Sequence, residues 1–246
     1  MKAAPEAQQR LLDLQELDAA LDRLAHRRRT LPELAEMDRL EARLADLRDV
    51  VVSAETDIAD LDREQSKAEQ DVDQVRLRAD RDQKRLDSGQ VSSAKDLENL
   101  QSEIASLQRR QSVLEEVVLE IMERYETAEG RLSSLVEERS VAQAELTVLA
   151  ERRDAATRGI EDEMGVTSSA RTAIAKDIPD DLLALYEKLR GQFGVGAAAL
   201  HRGQCQGCHL ALNTTDLNRI RAAAADEVVR CEECRRILVR TPESGL

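Results

Sequence analysis

From Leu97 to Leu149 apolar side chains recur in alternating steps of three and four. Leu97, Leu100, Ile104, Leu107, Leu114, Val118, Ile121 and Tyr125 lead through Ala128, Leu132, Leu135, Ala142 and Leu146 to Leu149. Gln111 and Arg139 are the polar members of this stripe. A period of 3.5 residues predicts a long helix with a heptad seam and a left-handed supercoil. A second seam precedes it: Leu40, Leu44, Leu47, Val51, Ala54, Ile58, Leu61, Gln65, Ala68, Val72, Val75, Ala79 and Leu86. Between the seams, Asp87–Ser93 holds Gly89, three serines and no strong helix former, so a turn is predicted within residues 87–94. Ser93 suits the N-cap of the second helix, and Asp96 suits its positive end.

Two long helices joined by a short turn fold back on each other. With the turn centred near residue 91, facing positions sum to about 183. Leu86 then meets Leu97, Ala79 meets Ile104, Ile58 meets Tyr125, and Ala54 lies by Ala128 in a slim layer. Gln65 and Gln111 face Val118 and Val72, as residues that fix register. An arm over residues 33–86 is about 80 Å long at about 1.5 Å per residue.

Outside the hairpin the pattern changes. Pro32 removes a backbone donor and clashes with the preceding turn, which predicts a break near residues 29–32. Before it, Leu14, Leu17, Leu21 and Leu24 mark a shorter amphipathic helix. After residue 160 the pattern is expected to loosen through Gly159, Gly165 and Ser168-Ser169. Pro179 opens a separate helix that is expected to stop at Gly191. Beyond it lie short apolar runs, Val195–Arg202, Val228–Arg230 and Arg236–Arg240, with a helix start at Thr214-Thr215-Asp216. The expected fold is mainly α: a long antiparallel coiled-coil hairpin over 1–178, then a linking helix and a small β-rich domain over 179–246.

Composition agrees with long helices. Charged residues make up 35% of 246, and Tyr125, Tyr186 and Phe193 are the only aromatics. The net charge of −13 disfavours wholesale binding to nucleic acid or an anionic membrane. It is uneven: residues 1–194 carry 29 Lys+Arg against 43 Asp+Glu, and residues 195–246 carry 7 against 6. No apolar run reaches signal-peptide or membrane-span length, so a soluble, cytoplasmic protein is expected.

The only four cysteines, Cys205, Cys208, Cys231 and Cys234, form two Cys-x-x-Cys pairs 22 residues apart. A two-residue gap turns both thiolates of a pair inward on one tight loop. Two such loops supply the tetrahedral sulfur cage that Zn²⁺ prefers. A redox dithiol would need one pair in a βαβ setting, which is absent; sulfur ligands alone leave iron open. Four thiolates close the coordination sphere, so one structural zinc is expected, with His209 beside the cage and not in it. Reduced, metal-bound cysteines also fit the cytoplasm.

The chain resembles the bacterial coiled-coil proteins with a C-terminal C4-type zinc ribbon. The resemblance is carried by Lys95-Asp-Leu-Glu-Asn-Leu-Gln-Ser-Glu-Ile104, by Leu114-Glu-Glu-Val-Val-Leu-Glu-Ile-Met-Glu-Arg124, and by Gly203-Gln-Cys-Gln-Gly-Cys208 with Cys231-Glu-Glu-Cys-Arg-Arg-Ile-Leu238. Relatives often have Pro inside and Gly after the second knuckle, where this chain has Glu232 and Arg235. Gly there would ease a positive φ. Some relatives look like regulators of flagellar or secretion systems that contact an alternative sigma factor or RNA. The resemblance therefore implies an adaptor.

Two functions follow as expectations. In the first the arm and ribbon bind a protein partner, as an adaptor or regulator linked to transcription or RNA. In the second the ribbon binds nucleic acid through Arg202, Arg230, Arg235, Arg236 and Arg240, without aromatic platforms for base stacking. Arginines on strand edges also serve simply to block aggregation. No nucleophile–base–orienter set, Gly-rich phosphate loop or open metal position is present, so neither an enzyme nor a small-molecule substrate is expected.

Overall fold

A computed structural model describes residues 1–91 and 93–246. Ser92, inside the expected turn, lies outside the described residues. The chain divides into two compact units, Ala35–Ala150 and Met1–Leu34 with Glu151–Leu246. This line differs from the expected division at residues 178 and 179, because the first helix groups with the C-terminal elements.

The unit Ala35–Ala150 is built from α2 (Pro32–Asp87) and α3 (Ala94–Lys176). Gly89, at φ +65°, closes α2, and its N–H bonds the Leu86 carbonyl. Only a residue without Cβ takes that conformation freely. The helices run antiparallel: Arg78 pairs with Glu103 near the turn, and Arg43 with Glu138 far from it. Both seams turn inward apart from Leu97, expected to meet Leu86 beside the turn, and Arg139, which are exposed. Leu47, Val51, Ala54, Leu61, Ala68, Val72 and Ala79 of α2 are buried, as are Ile104, Ile121, Ala142 and Leu149 of α3. Leu61, Ala68 and Ile121 form a core cluster with Val118, Tyr125 and Ala128. Burying each large aliphatic side chain contributes about 1.5–3 kcal/mol, whereas exposed cross-helix ion pairs contribute about 0–1 kcal/mol. The apolar seam therefore holds the arm together. Gln65 and Gln111 stay on their own helices, donating to Glu69 and Glu115 at 2.8 Å.

The other unit begins with α1 (Pro5–Arg29), which ends where Thr30 N–H bonds the His26 and Arg27 carbonyls. Its buried stripe is Ala7, Leu11, Leu14 and Asp18, rotated from the expected Leu14, Leu17, Leu21 and Leu24. The rotation arises because α1 lies against a sheet and α4 (Asp180–Phe193), which bury the earlier residues. A second expectation is corrected as well. α3 does not loosen after residue 160 but continues through Gly159 and Gly165 to Lys176. A helical Gly costs about 1 kcal/mol. Ile160, 1% exposed, and ion pairs from Arg27 and Arg28 of α1 to Glu163 and Glu161 hold the stretch against that cost. α4 likewise runs past Gly191 and stops at Gly194, whose φ of +75° makes the left-handed cap.

The sheet has the order β2-β1-β4-β3, from β1 (Ala197–His201), β2 (Gln204–Cys205), β3 (Val229–Arg230) and β4 (Ile237–Arg240). β1 and β4 pair in parallel with Ala197 opposite Ile237; the outer pairs are antiparallel. Strand alternation splits the sheet's side chains between two cores. Ala197, Ile237 and Val239 face Leu11, Leu14, Leu182, Tyr186 and Leu189. Ala198, Leu200 and Leu238 face Cys205, Cys231, Leu212 and Ile220, the last on α5 (Thr214–Ala222). Asn213 caps α5 by accepting from Asp216 N–H at 2.8 Å. The chain start is tied to the ribbon: Ala3 N–H bonds the Asp226 carbonyl and Val228 N–H the Met1 carbonyl.

Candidate metal centre

Both knuckles are the same backbone device. In the first, His209 N–H bonds the Cys205 carbonyl at 2.8 Å; in the second, Arg235 N–H bonds the Cys231 carbonyl at 2.9 Å. His209 and Arg235, each just after a second cysteine, take φ of +60° and +64°. A non-glycine residue pays strain there, and the knuckle's hydrogen bonds hold it. The sheet aims the loops at each other, since β2 carries Cys205 and Cys231 directly follows β3.

The four sulfurs lie within 4.8 Å of one another. Sulfurs about 2.3 Å from a tetrahedral Zn²⁺ stand about 3.8 Å apart. Cys205 Sγ to Cys234 Sγ is 3.8 Å, and Cys208 Sγ to Cys231 Sγ is 3.9 Å. The donor set and its spacing fit one structural zinc held by all four cysteines. No other group of three or more Cys, His, Asp or Glu among the described residues is gathered in this way. Cys205 and Cys231 are buried; Cys208 and Cys234 are half-buried.

Burial pushes the Cys205 thiol up to about 12, against hydrogen bonds from Gly207 and Cys208 N–H groups. Burial also raises Cys231. At Cys234 burial works in the same sense but is outweighed. Bonds from the backbone and side chain of Arg236, and from Cys231 and Cys208, bring it down to about 7. A divalent cation thus takes the place of protons on buried sulfur.

The five arginines considered for nucleic-acid contact divide. Arg236 bonds the carbonyls of Val195, Gly207 and Phe193 and stacks over the Phe193 ring at 5.7 Å. Arg240 donates to five carbonyls, those of Ile220, Ala223, Ala224, Ala225 and Glu227. Both are structural ties at the ends of helices and loops, where carbonyls lack partners. Arg202, Arg230 and Arg235 are exposed. Arg230 Nε bonds the Arg235 carbonyl, and Arg235 lies 3.8 Å from Glu232.

Sequence reasoning missed one support of this centre and one buried anchor outside it. Arg219 of α5 pairs with Glu232 of the second knuckle at 2.6 Å, which holds that carboxylate below its usual range. Asp18, 0% exposed, anchors α1 against α3 and α4. Its signal was present: a charged residue at the i+7 place of an apolar stripe needs a buried partner.

Hairpin, closed cysteine cage and parallel-cored ribbon define a coiled-coil protein with a C4 zinc ribbon. Residues 14–194 match the CT398-like coiled coil hairpin domain and residues 204–238 the C4-type zinc ribbon domain. The chain belongs to the CT398-like coiled-coil hairpin family. It is 38% identical over 87 residues to the uncharacterized protein Rv2229c of Mycobacterium tuberculosis, a stretch covering 35% of this chain and 36% of that relative. A solved structure from Mycobacterium smegmatis is similar at TM-score 0.85 and 38% identity, over 98% of this chain and 100% of that one. The structure of CT398 from Chlamydia trachomatis shares the fold at TM-score 0.71 and 24% identity, over 96% and 98% of the two chains. No helix among the described residues is long and apolar enough to cross a membrane.

Proposed function

We propose that this protein is a cytoplasmic, non-enzymatic adaptor whose arm holds a protein partner and whose ribbon completes the assembly, in a process linked to transcription or RNA. The observation that carries this reading is the charge of the arm. Residues 36–75 and 111–150 together hold 22 Asp+Glu against 8 Lys+Arg, a net of −14. That section repels phosphate and attracts cationic protein surfaces. An arm of about 80 Å also exceeds what a stable hairpin needs, which favours reach as its purpose. A closed sulfur cage leaves no place for substrate or activated water, in keeping with a role outside catalysis. Affinity capture from the native cell, with and without nuclease, tests the reading. A protein partner retained after nuclease is the expected result; recovery abolished by nuclease overturns it.

A second reading, nucleic-acid binding by the ribbon, draws on Arg202, which is exposed and has no ion-pair partner among the described residues. Gel-shift titration of the whole protein with RNA and DNA at two salt concentrations tests it, since phosphate contacts weaken steeply with salt.

A further inference from the structure

Arg236 follows the second knuckle and is half-buried, whereas Arg230 and Arg235 beside it are exposed. Its guanidinium reaches the first knuckle: Nη1 donates at 3.0 Å to the carbonyl of Gly207, which lies between Cys205 and Cys208. Its main chain closes the second knuckle. The Arg236 N–H bonds the Cys234 sulfur, and the Arg236 carbonyl accepts from Cys231 N–H at 3.0 Å. The side chain donates to the Cys234 sulfur as well. Nη2 takes the carbonyl of Phe193, the last residue of α4, and Nε that of Val195 just beyond.

The first knuckle is shaped for this side chain. A Cβ on Gly207 would stand 3.1 Å from Arg236 Cδ and 3.0 Å from Ala198 Cβ. Any larger residue there would push the arginine stem aside. Charge gives the contact its sense. Four thiolates around one Zn²⁺ carry a net charge of about −2. A guanidinium that donates to one of those sulfurs offsets part of that charge through a charge-assisted bond. Arg240 supplies the contrast, since its five bonds all go to carbonyls of Ile220, Ala223, Ala224, Ala225 and Glu227.

We propose that Arg236 is the positioning residue of the metal centre: its guanidinium fastens the two knuckles to each other and compensates the charge of the sulfur cage. Groups that hydrogen-bond metal ligands in this way orient them and tune the metal they hold. The same guanidinium holds the Phe193 and Val195 carbonyls, so the cage and the end of α4 steady one another. Arg236 is thus more than a backbone tie of the kind Arg240 makes, and the two arginines should respond differently to loss of charge.

The test uses the full-length protein with Arg236→Gln, Arg236→Lys and, as the control for lost carbonyl bonds, Arg240→Gln. Zinc affinity is measured by competition with a chromophoric chelator. Each chain is also filled with Co²⁺ at saturating concentration, and its sulfur-to-cobalt charge-transfer band is recorded. Hydrogen bonds to a ligating sulfur weaken its electron donation, so losing one moves that band to longer wavelength. Arg236→Gln should bind zinc about 10–100-fold more weakly, as loss of an outer partner does, and shift the band to longer wavelength. Arg236→Lys, which keeps the charge, should fall between Arg236→Gln and the wild type in both measurements. Arg240→Gln should keep the wild-type band, whatever it costs the ribbon in stability. An unmoved band or undiminished zinc affinity in Arg236→Gln overturns the proposal, as does an equal shift in Arg240→Gln. Lysine no better than glutamine in both measurements overturns it too. Should Arg236→Gln take up no cobalt, the Arg236→Lys band decides: displaced from the wild type it supports the proposal, coincident with it overturns it.

Discussion

The Tyr186 hydroxyl donates a 2.6 Å hydrogen bond to Asp18 Oδ2, and both residues are 0% exposed. Arg171 Nε reaches Asp18 Oδ1 at 2.6 Å, and Arg190 Nε lies 3.3 Å from Oδ2. One carboxylate thereby joins α1, α3 and α4 beneath the ribbon. Removing it leaves Arg171 with Glu187 alone and Arg190 with Asp22 alone, and breaking a buried pair costs up to about 3–5 kcal/mol. Asp18→Ala should therefore lower the melting temperature sharply. Tyr186→Phe, which removes one bond to a charged group, should cost about 1.5–3 kcal/mol. Denaturant titration of both variants checks the ranking.

The same contact sets an alkaline limit. Burial, then the bond to and charge of Asp18, hold the Tyr186 phenol well above its ordinary value, with Arg190 and Arg171 partly opposing. A group whose folded-state value is raised stabilises fully below its unfolded value and loses that contribution as pH rises beyond it. The melting temperature should fall as pH climbs above about 10, the ordinary phenol value. Tyr186→Phe should flatten that fall, and an unchanged slope would disconnect Tyr186 from it.

Gly196 offers a steric test of the same neighbourhood. A Cβ there would meet the Tyr186 ring at 2.6 Å and its carbonyl at 2.7 Å. Gly196 N–H also bonds Gln15 Oε1 at 2.8 Å. Gly196→Ala must displace β1 or the ring, and overpacking of this kind costs about 1–3 kcal/mol. The variant should be destabilised while still binding zinc, as elemental analysis can show.

The hairpin and the cysteine cage were legible because each obeys a short-range rule. Heptad steps from Leu40 to Leu86 and from Leu97 to Leu149 state which side chains face inward. Paired Cys-x-x-Cys spacing states which sulfurs converge. The fate of the ends was not legible, because it depends on contacts remote in sequence. Nothing local to Gly159 and Gly165 shows that α1 supports that stretch of α3. Nothing local to Arg236 and Arg240 shows that carbonyls up to 43 residues away will engage them. A basic cluster looks the same in a sequence whether it points at phosphate or at its own backbone.

That last distinction changes which variants test nucleic-acid binding. Replacing Arg236 or Arg240 by Ala strips partners from three and five carbonyls, so lost binding would reflect damage to the ribbon. Arg202→Ala, Arg230→Ala and Arg235→Ala, combined, should leave the melting temperature nearly unchanged. If the ribbon contacts phosphate, this triple variant should weaken binding and lower its salt slope. Wild-type gel shifts from the triple variant would remove these residues from the interface.

Zinc removal should separate the ribbon from the arm. Cys205 and Cys231 sit in the same core as Leu200, Ile220 and Leu238, so loss of the metal leaves opposed sulfurs inside an apolar cluster. Ribbon folding is coupled to the metal, because a preformed sulfur cage does not exist in the unfolded chain. The arm has its own seam through Leu61, Ala68 and Ile121 and needs no metal. Chelation, or Cys205→Ser with Cys231→Ser, should expose the ribbon to protease while most helical dichroism persists. The sign with pH follows from the thiols: Cys205 is pushed up to about 12 without metal, so binding there displaces a proton. Zinc affinity should fall as pH is lowered, and competition titration with a chromophoric chelator at several pH values measures it. One zinc per chain and release on acidification are the expected outcomes. Iron in its place, affinity independent of pH, or loss of arm helicity on chelation would each contradict this account of the metal centre.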